Sequence, residues 1–458
     1  MKMIYGVKDR PPVGRLILFA LQQLLAILAA TIAVPMAIGN GMSSSAALFG
    51  AGAGTLVYLA FTKFKSPVFL GSSFAFLGSM SAAFAGAATA TLGYLGLIVG
   101  AVFAGLVYVV IALVVKFAGV KWINKVMPAV VIGPTVAIIG LSLAGNAVGD
   151  LMKGNVYIVA DPVNTMACSP YLAFLCGIVT LAVTIVCSVY GKKLLKMIPF
   201  IIGILAGYAL AAIFTVIGNA ANVDALKIID FSKFNDMQWY PDFVFITAFI
   251  NPDYGDANIG AYIGTIAVAY VPVAFVVFAE HLADHKNISS IIEHDLLTDP
   301  GLSRTLLGDG VGSMVGAFFG GCPNTTYGES IGCVAISGNA SVFTILCTAI
   351  LAIIASFVAP FVTFLATIPS CVMGGVCIAL YGFIAVSGLK MIQNVDLNEN
   401  KNLFVVSVIL IAGVGGMQLQ FGQVTITSVA CALILGILTN VLVNIKKKKE
   451  DSEEEKAE

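Results

Sequence analysis

Charge is scarce in this chain. Of its 458 residues only 10% are Asp, Glu, Lys or Arg. A soluble domain carries about 25% to keep its surface in water, so a water-soluble globule is excluded. The two signs balance at 24 residues each, which leaves no basic excess to hold nucleic acid. Histidine occurs three times and tryptophan twice. The nine cysteines lie mostly inside apolar runs, with no CxxC pair and no regular spacing. That pattern fits small core residues and sets aside disulfides and metal ligation. No HExxH and no acidic diphosphate-binding cluster occurs within the apolar runs, so neither an enzyme nor a cofactor is expected.

What the chain has in abundance is apolar sequence, 59% of its residues, with a mean hydropathy of +0.99. Runs of roughly 20 residues recur from Gly14 to Ile445, each long enough to cross about 30 Å of hydrocarbon as a helix. The runs are continuous rather than alternating, which selects helices over a barrel. The first, Leu16 to Ile38, exceeds the h-region of a signal peptide (about 7–15 residues) and is read as a span. The breaks give about fourteen spans, at roughly 15–39, 45–62, 67–84, 91–116, 126–145, 169–190 and 197–218, then 260–284, 303–321, 324–338, 341–366, 369–390, 403–419 and 423–445.

The basic residues provide a check. With both termini cytoplasmic, Lys2, Lys8, Arg10, Arg15, Lys63, Lys65, Lys116, Lys121, Lys125, Lys192, Lys193, Lys196, Lys286, Arg304, Lys390, Lys401, Lys446 to Lys449 and Lys456 all fall inside. That is 21 of 24; only Lys153, Lys227 and Lys233 fall outside. A missed span would scramble this split, so the positive-inside rule supports an even count.

The longest polar stretch, Asn219 to Ile259, holds six Asp and two Lys and is expected to be extracellular. It divides the spans seven and seven, so the second half enters the membrane from the opposite side, the signature of an inverted repeat. Met127-Pro128-Ala129-Val130-Val131-Ile132-Gly133 opens the fifth span, and Ile368-Pro369-Ser370-Cys371-Val372-Met373-Gly374 opens the twelfth. Ser72-Ser73-Phe74 in the third span parallels Thr325-Thr326-Tyr327 in the tenth. Both of these spans are short, polar and interrupted, which points to a midplane binding site. The fold class expected is thus an all-α polytopic membrane protein. Gly308, Gly312, Gly316 and Gly320 repeat every four residues and signal close helix packing.

Ionisable groups at membrane depth are functional candidates by default. Glu280 ends an apolar run in the eighth span, and Glu329 follows the break in the tenth. Asp284 lies one turn beyond Glu280 on the same face. His281 and His285 border the interface as proton partners or ordinary interfacial residues. Asp309 reads as a helix-end cap or solvated group, and His294 as solvated. Two carboxylates with no Lys or Arg near the middle of a span would repel an anion and suit a neutral ligand rich in N–H donors. Backbone N–H groups freed at the broken spans would donate to ligand carbonyls. A small heterocycle with alternating C=O and N–H groups fits, and intramembrane carboxylates also serve as proton carriers.

Ala279-Glu280-His281, Asp299-Pro300-Gly301-Leu302, Pro323-Asn324-Thr325-Thr326-Tyr327-Gly328-Glu329 and Gly71-Ser72-Ser73-Phe74-Ala75-Phe76 resemble the nucleobase–ascorbate transporter family, and within it bacterial uracil permeases. Gly6-Val7, Arg10-Pro11-Pro12 and Leu21-Gln22 agree, and the resemblance runs from about Tyr5 to Lys446. It implies a homodimer in a bacterial cytoplasmic membrane that imports uracil with protons. It implies a core domain (14–122 and 260–367), a gate domain (123–222 and 368–446), an extracellular loop (223–259) and a charged cytoplasmic tail (447–458). Short paired strands are implied in the third and tenth segments. Glu280, Glu329, Phe74, Gly328, Ser73 and Tyr327 are the substrate-binding residues it implies, with Glu280, Asp284 and His285 in proton coupling.

The sequence departs from the pattern at three places. Asp284, followed by His285, stands where the uracil permeases carry a histidine, and Gln22-Gln23 replaces a Gln-His pair. After Glu329 come Ser330, Ser337 and Gly338 in place of Asn, Thr and a basic residue. Glu329, rather than Gln, is the form associated with uracil over xanthine. A xanthine or purine permease of the same fold is the alternative, and an anion exchanger a more distant one.

Overall fold

Helices stop where Pro, Gly and small polar residues interrupt the apolar runs. The computed structural model describes residues 3–120, 122–123, 127–158, 165–192, 194–250, 252–393, 395–421 and 424–445. Lys2, Lys121, Lys125, Lys193, Lys446 to Lys449, Lys456 and the 447–458 tail lie outside the described residues.

Helix α1 (Val13–Ile38) follows Pro11-Pro12 and ends at Gly39, whose φ of 66° stops the helix. Ser43 opens α2 (Ser44–Phe61) by accepting the Ala46 N–H at 3.3 Å. Strand β1 (Leu70–Ser72) leads through a turn at Phe74–Phe76 into α3 (Leu77–Ala85). Thr89 caps α4 (Ala90–Ala118) at the Leu92 N–H, 3.2 Å away. Then come α5 (Ala129–Ser142, continued by the short helix Ala144–Asp150), α6 (Pro170–Tyr190) and α7 (Pro199–Ala221). The second half holds α8 (Ile259–Ile292), α9 (Leu302–Gly320), strand β2 (Asn324–Thr326) and α10 (Gly328–Ser337). It continues with α11 (Val342–Ala355), α12 (Ser370–Ile392), α13 (Asn400–Val414) and α14 (Ser428–Val443).

Among the described residues eight helices are long and apolar enough to cross a bilayer: α1, α2, α4, α5 with its continuation, α6, α7, α8 and α12. The expected span at 341–366 is broken. Its two helices, α11 and Ala359–Thr367, bend by 83°, and counted as one they make a ninth. The cause is local: Pro360 fits the first turn of the second helix but has no N–H to continue the first across the break. Helix α8 reaches Ile292, beyond the expected limit at 284. The expected boundary between the last two spans is instead a hairpin, Leu419–Phe421 paired with Val424–Ile426. Its residues alternate polar and apolar, a strand period inside a run read as helical. A second short hairpin pairs Tyr157–Ile158 with Thr165–Met166. Large apolar side chains such as Phe117, Tyr171, Val189 and Val216 point outward from α4, α6 and α7, as lipid-facing helices require.

The helices pack in two sets. Helix α9 lies against α2 and α4, α8 against α4, and α11 against α1 and α2. Helix α5 lies against α12, α13 and α14, α12 against α6, and α6 against α7. The glycine repeat of α9 makes the first set possible. A Cβ on Gly312 would come within 2.7 Å of the Gly54 carbonyl oxygen, and one on Gly320 within 2.5 Å of the Ala46 oxygen. Only bare backbone lets α9 and α2 approach this closely.

Strands β1 and β2 pair antiparallel with Leu70 opposite Thr326, Gly71 opposite Thr325 and Ser72 opposite Asn324. All six residues are buried, as irregular backbone at membrane depth must be. The pairing extends at both ends, through Ser73 N–H to Pro323 O (2.9 Å) and Tyr327 N–H to Phe69 O (3.2 Å).

Candidate functional site

The two strands direct two turns into the interior. Past β1 the chain turns at Phe74; past β2 it turns at Tyr327 and starts α10 at Gly328. The first N–H groups of a helix have no partner within it, so the start of α10 offers donors to a ligand. The Tyr327 hydroxyl donates to the Ser72 carbonyl at 2.8 Å, laying its ring across β1. Gly71 permits this. A Cβ there would stand 2.3 Å from the Tyr327 ring.

A cavity of about 310 Å³ opens against these turns, at the lower end of small-molecule pockets. Phe74, Tyr327, Gly328 and Glu329 line it from the strand side, and Glu280 and Asp284 from α8. Val136, Phe200 and Phe383 form the opposite wall, so the cavity lies between the two packing sets. Glu280, Asp284 and Glu329 are half-buried, and none pairs with a Lys or Arg among the described residues. The Thr326 hydroxyl donates to Asp284 Oδ2 at 2.7 Å, tying α8 to β2. The result is a set of carboxylate acceptors facing backbone N–H donors across a small space. It can grip a flat polar ring by both kinds of edge.

Two residues named from the sequence lie elsewhere. Ser73 is buried and commits its N–H to the strand pair, outside the cavity lining. His285 is fully buried on another face of α8. Its Nδ1 bonds the His281 carbonyl at 2.9 Å, so that nitrogen carries the proton. Its Nε2 lies 2.7 Å from the Tyr58 hydroxyl, itself 2.7 Å from Ser66 Oγ. The angular position explains this: at about 100° per residue, Asp284 is about 40° from Glu280 around the helix, whereas His285 is about 140° away.

Asp309 corrects an expectation. It is neither a cap nor solvated but 1% exposed, with Oδ2 2.6 Å from His281 Nδ1. His281 Nε2 lies 3.0 Å from Thr305 Oγ1, and the ring stacks on His285 with centroids 4.0 Å apart. A solvated group belongs at the end of an apolar run, but α8 brings a buried imidazole to this one. His294 is exposed, as expected, and bonds the Asp299 carbonyl at 2.9 Å.

Other contributors carry weaker signals. Gln23, in the departing Gln-Gln pair, donates to Ser330 O at 3.2 Å and to Ser330 Oγ, which also accepts the Phe69 N–H at 3.1 Å. It thereby fastens α1 to α10 and to the lead into β1. Lys196, one of the basic cluster after α6, lines the rim of the cavity. Gly328-Glu329-Ser330-Ile331-Gly332 has the GxSxG spacing of a hydrolase nucleophile. Ser330 is fully buried and bonded to Gln23 and Phe69, with no histidine as base, so this match is structural. Among the described residues no group of three His, Cys, Asp or Glu is placed to hold a metal ion.

The chain is 39% identical to the uracil permease of Bacillus caldolyticus over 448 residues, 96% of this chain and 95% of that one. It is 35% identical to the uracil permease of Escherichia coli K12, over 94% of this chain and 92% of that protein. Among solved structures it resembles the transmembrane domain of a cyanobacterium bicarbonate transporter, BicA. The TM-score is 0.61 over 94% of this chain and 97% of that one, and at 16% identity this likeness speaks for the fold alone. The sequence pattern described as "Permease family" matches residues 14–421. With that match spanning most of the chain, and the strand-turn cavity where the broken segments meet, the chain belongs to the nucleobase–ascorbate transporters, multi-pass membrane carriers rather than enzymes.

Proposed function

We propose that the chain is a proton-coupled symporter that imports uracil across a bacterial cytoplasmic membrane by alternating access. The observation that carries this reading is the convergence of Glu280, Glu329, Phe74 and the start of α10 on one small cavity, its carboxylates paired with no cation among the described residues. Uracil presents N–H donors and carbonyl acceptors around one ring, the complement of that lining. Relatives named uracil permeases, aligned over nearly the whole chain, support the same substrate.

In this reading about fourteen segments form a 7+7 inverted repeat, and the first packing set is the core domain and the second the gate. The cavity lies between the sets, where relative movement would expose it to one side and then the other. Its rim includes Lys196, Asn287 and Ser188, segments that the basic-residue pattern assigns to the cytoplasm with both termini. That supports an inward-facing state. Proton coupling falls to Glu280 with Asp284, which share the cavity; His285 serves as a brace behind them. A homodimer in the membrane completes the proposal.

Uptake of radiolabelled uracil into proteoliposomes tests the substrate. Uracil should enter and saturate, with unlabelled xanthine a poor competitor. Equal competition by xanthine would transfer the assignment to a purine permease.

A further inference from the structure

Beside Val277 of α8, apart from the larger cavity's lining, lies a small cavity of about 10 Å³. Tyr108 of α4, Asp309 and Ser313 of α9, and Asn324 of β2 line it together with Phe76, Ala104 and Val277. Two buried polar atoms here have no protein partner: the Tyr108 hydroxyl, in a residue 4% exposed, and Asp309 Oδ1, in one 1% exposed. The other Asp309 oxygen is engaged by His281. A buried hydroxyl or carboxylate oxygen left without a hydrogen bond is costly to the fold. Nearly all such groups in folded proteins find protein or water.

We infer that this cavity is a binding site for one water molecule, held between the Tyr108 hydroxyl and Asp309 Oδ1 with Ser313 and Asn324 in reach. The size agrees, and four polar side chains are among the lining residues. One water needs about 10–15 Å³ of probe-occupied volume and two to four polar partners. The water can donate to Asp309 Oδ1 and accept from Tyr108, satisfying both atoms at once. It ties α4 and α9 to β2, next to the Thr326 that holds Asp284, and fixes the aspartate that holds His281. The site is therefore a positioning element, made from groups that lie outside the lining of the larger cavity.

The sign of one substitution decides between a hydrated and a dry cavity. Tyr108→Phe removes the hydroxyl and little else. If a water is bound, the variant loses a hydrogen bond and its melting temperature in detergent falls by about 1–3 °C. If the cavity is dry, the variant sheds an unsatisfied group, and an unchanged or higher melting temperature overturns the inference. A high-resolution density map of the unmodified protein decides independently of whether the variant folds. A peak within hydrogen-bond distance of both atoms is expected, and empty density overturns the site. Replacing sodium by choline should leave the melting temperature of the parent unchanged. A fall seen in the parent but not in Tyr108→Phe would make the occupant a cation and overturn the assignment to water.

Discussion

Glu329→Gln separates a ligand-binding carboxylate from a helix latch. The side chain lines the cavity at the second position of α10, half-buried, with no basic partner among the described residues. Gln keeps the size and one carbonyl acceptor but loses the charge. If the carboxylate accepts an N–H of uracil, the change weakens a charge-assisted hydrogen bond, a loss of about 1.5–3 kcal/mol. That corresponds to a dissociation constant roughly ten- to a hundredfold higher. Stability should scarcely change, because no ion pair is broken and no cavity is opened, so the melting temperature without ligand should stay within about 1 °C. Calorimetry of uracil binding beside a thermal scan reads both quantities. Unchanged affinity refutes the role of Glu329. A large fall in melting temperature with affinity retained makes it a latch.

Gly71→Ala places a Cβ 2.3 Å from the Tyr327 ring and forces it off the Ser72 carbonyl. Overpacking should cost about 1–3 kcal/mol and the hydrogen bond about 0.5–1.5. A lower melting temperature with weaker uracil binding is expected, and parent values in both would contradict the packing described. Outside the membrane segments, the hydrogen bond from Lys65, at 2.6 Å, holds the Asp299 carboxyl below its ordinary range. A depressed carboxylate stabilises the fold above its ordinary pKa and loses that effect as pH falls through the folded value. Lys65→Gln should therefore be slightly less stable than the parent at neutral pH, and the gap should close below about pH 4; a gap that widens in acid would reverse the sign. Asp236→Cys, on a cysteine-free background, should react with an impermeant reagent outside intact cells. Ser452→Cys, outside the described residues, should be protected, and its reaction would overturn the inward placement of the termini.

Much of the site could be read from the sequence because its signals are local. Ser72-Ser73-Phe74 and Thr325-Thr326-Tyr327 interrupt apolar runs at matching places, and strands ending at Ser72 and Thr326 form and pair there. Glu280 and Glu329 stand out because almost nothing else near them is charged. The partnership of His281 with Asp309 could not be read this way. It joins residues 28 apart on different helices, and neither local pattern announces the other. His285 is legible in the sequence but not its position, since adjacency in sequence to Asp284 is not adjacency on a helix. The hairpin at Leu419–Ile426 was hidden for the opposite reason: its short alternation sits between long apolar runs and merges with them. Lys196 belongs to a basic cluster that serves as a topology signal. Only the fold brings one member of it to the rim of the cavity.

If a carboxylate in this cavity couples uracil to protons, a proton gradient should drive uracil against its own gradient. Proteoliposomes with an inward proton gradient should concentrate labelled uracil above the outside level. Collapsing the gradient should reduce this to equilibration. Glu280→Gln keeps the shape of the side chain and removes its proton, so it should lose accumulation altogether while still exchanging uracil down its gradient. If Glu280→Gln accumulates uracil as the parent does, with the same dependence on pH, the proton does not pass through this site and Glu280 is not the coupling group.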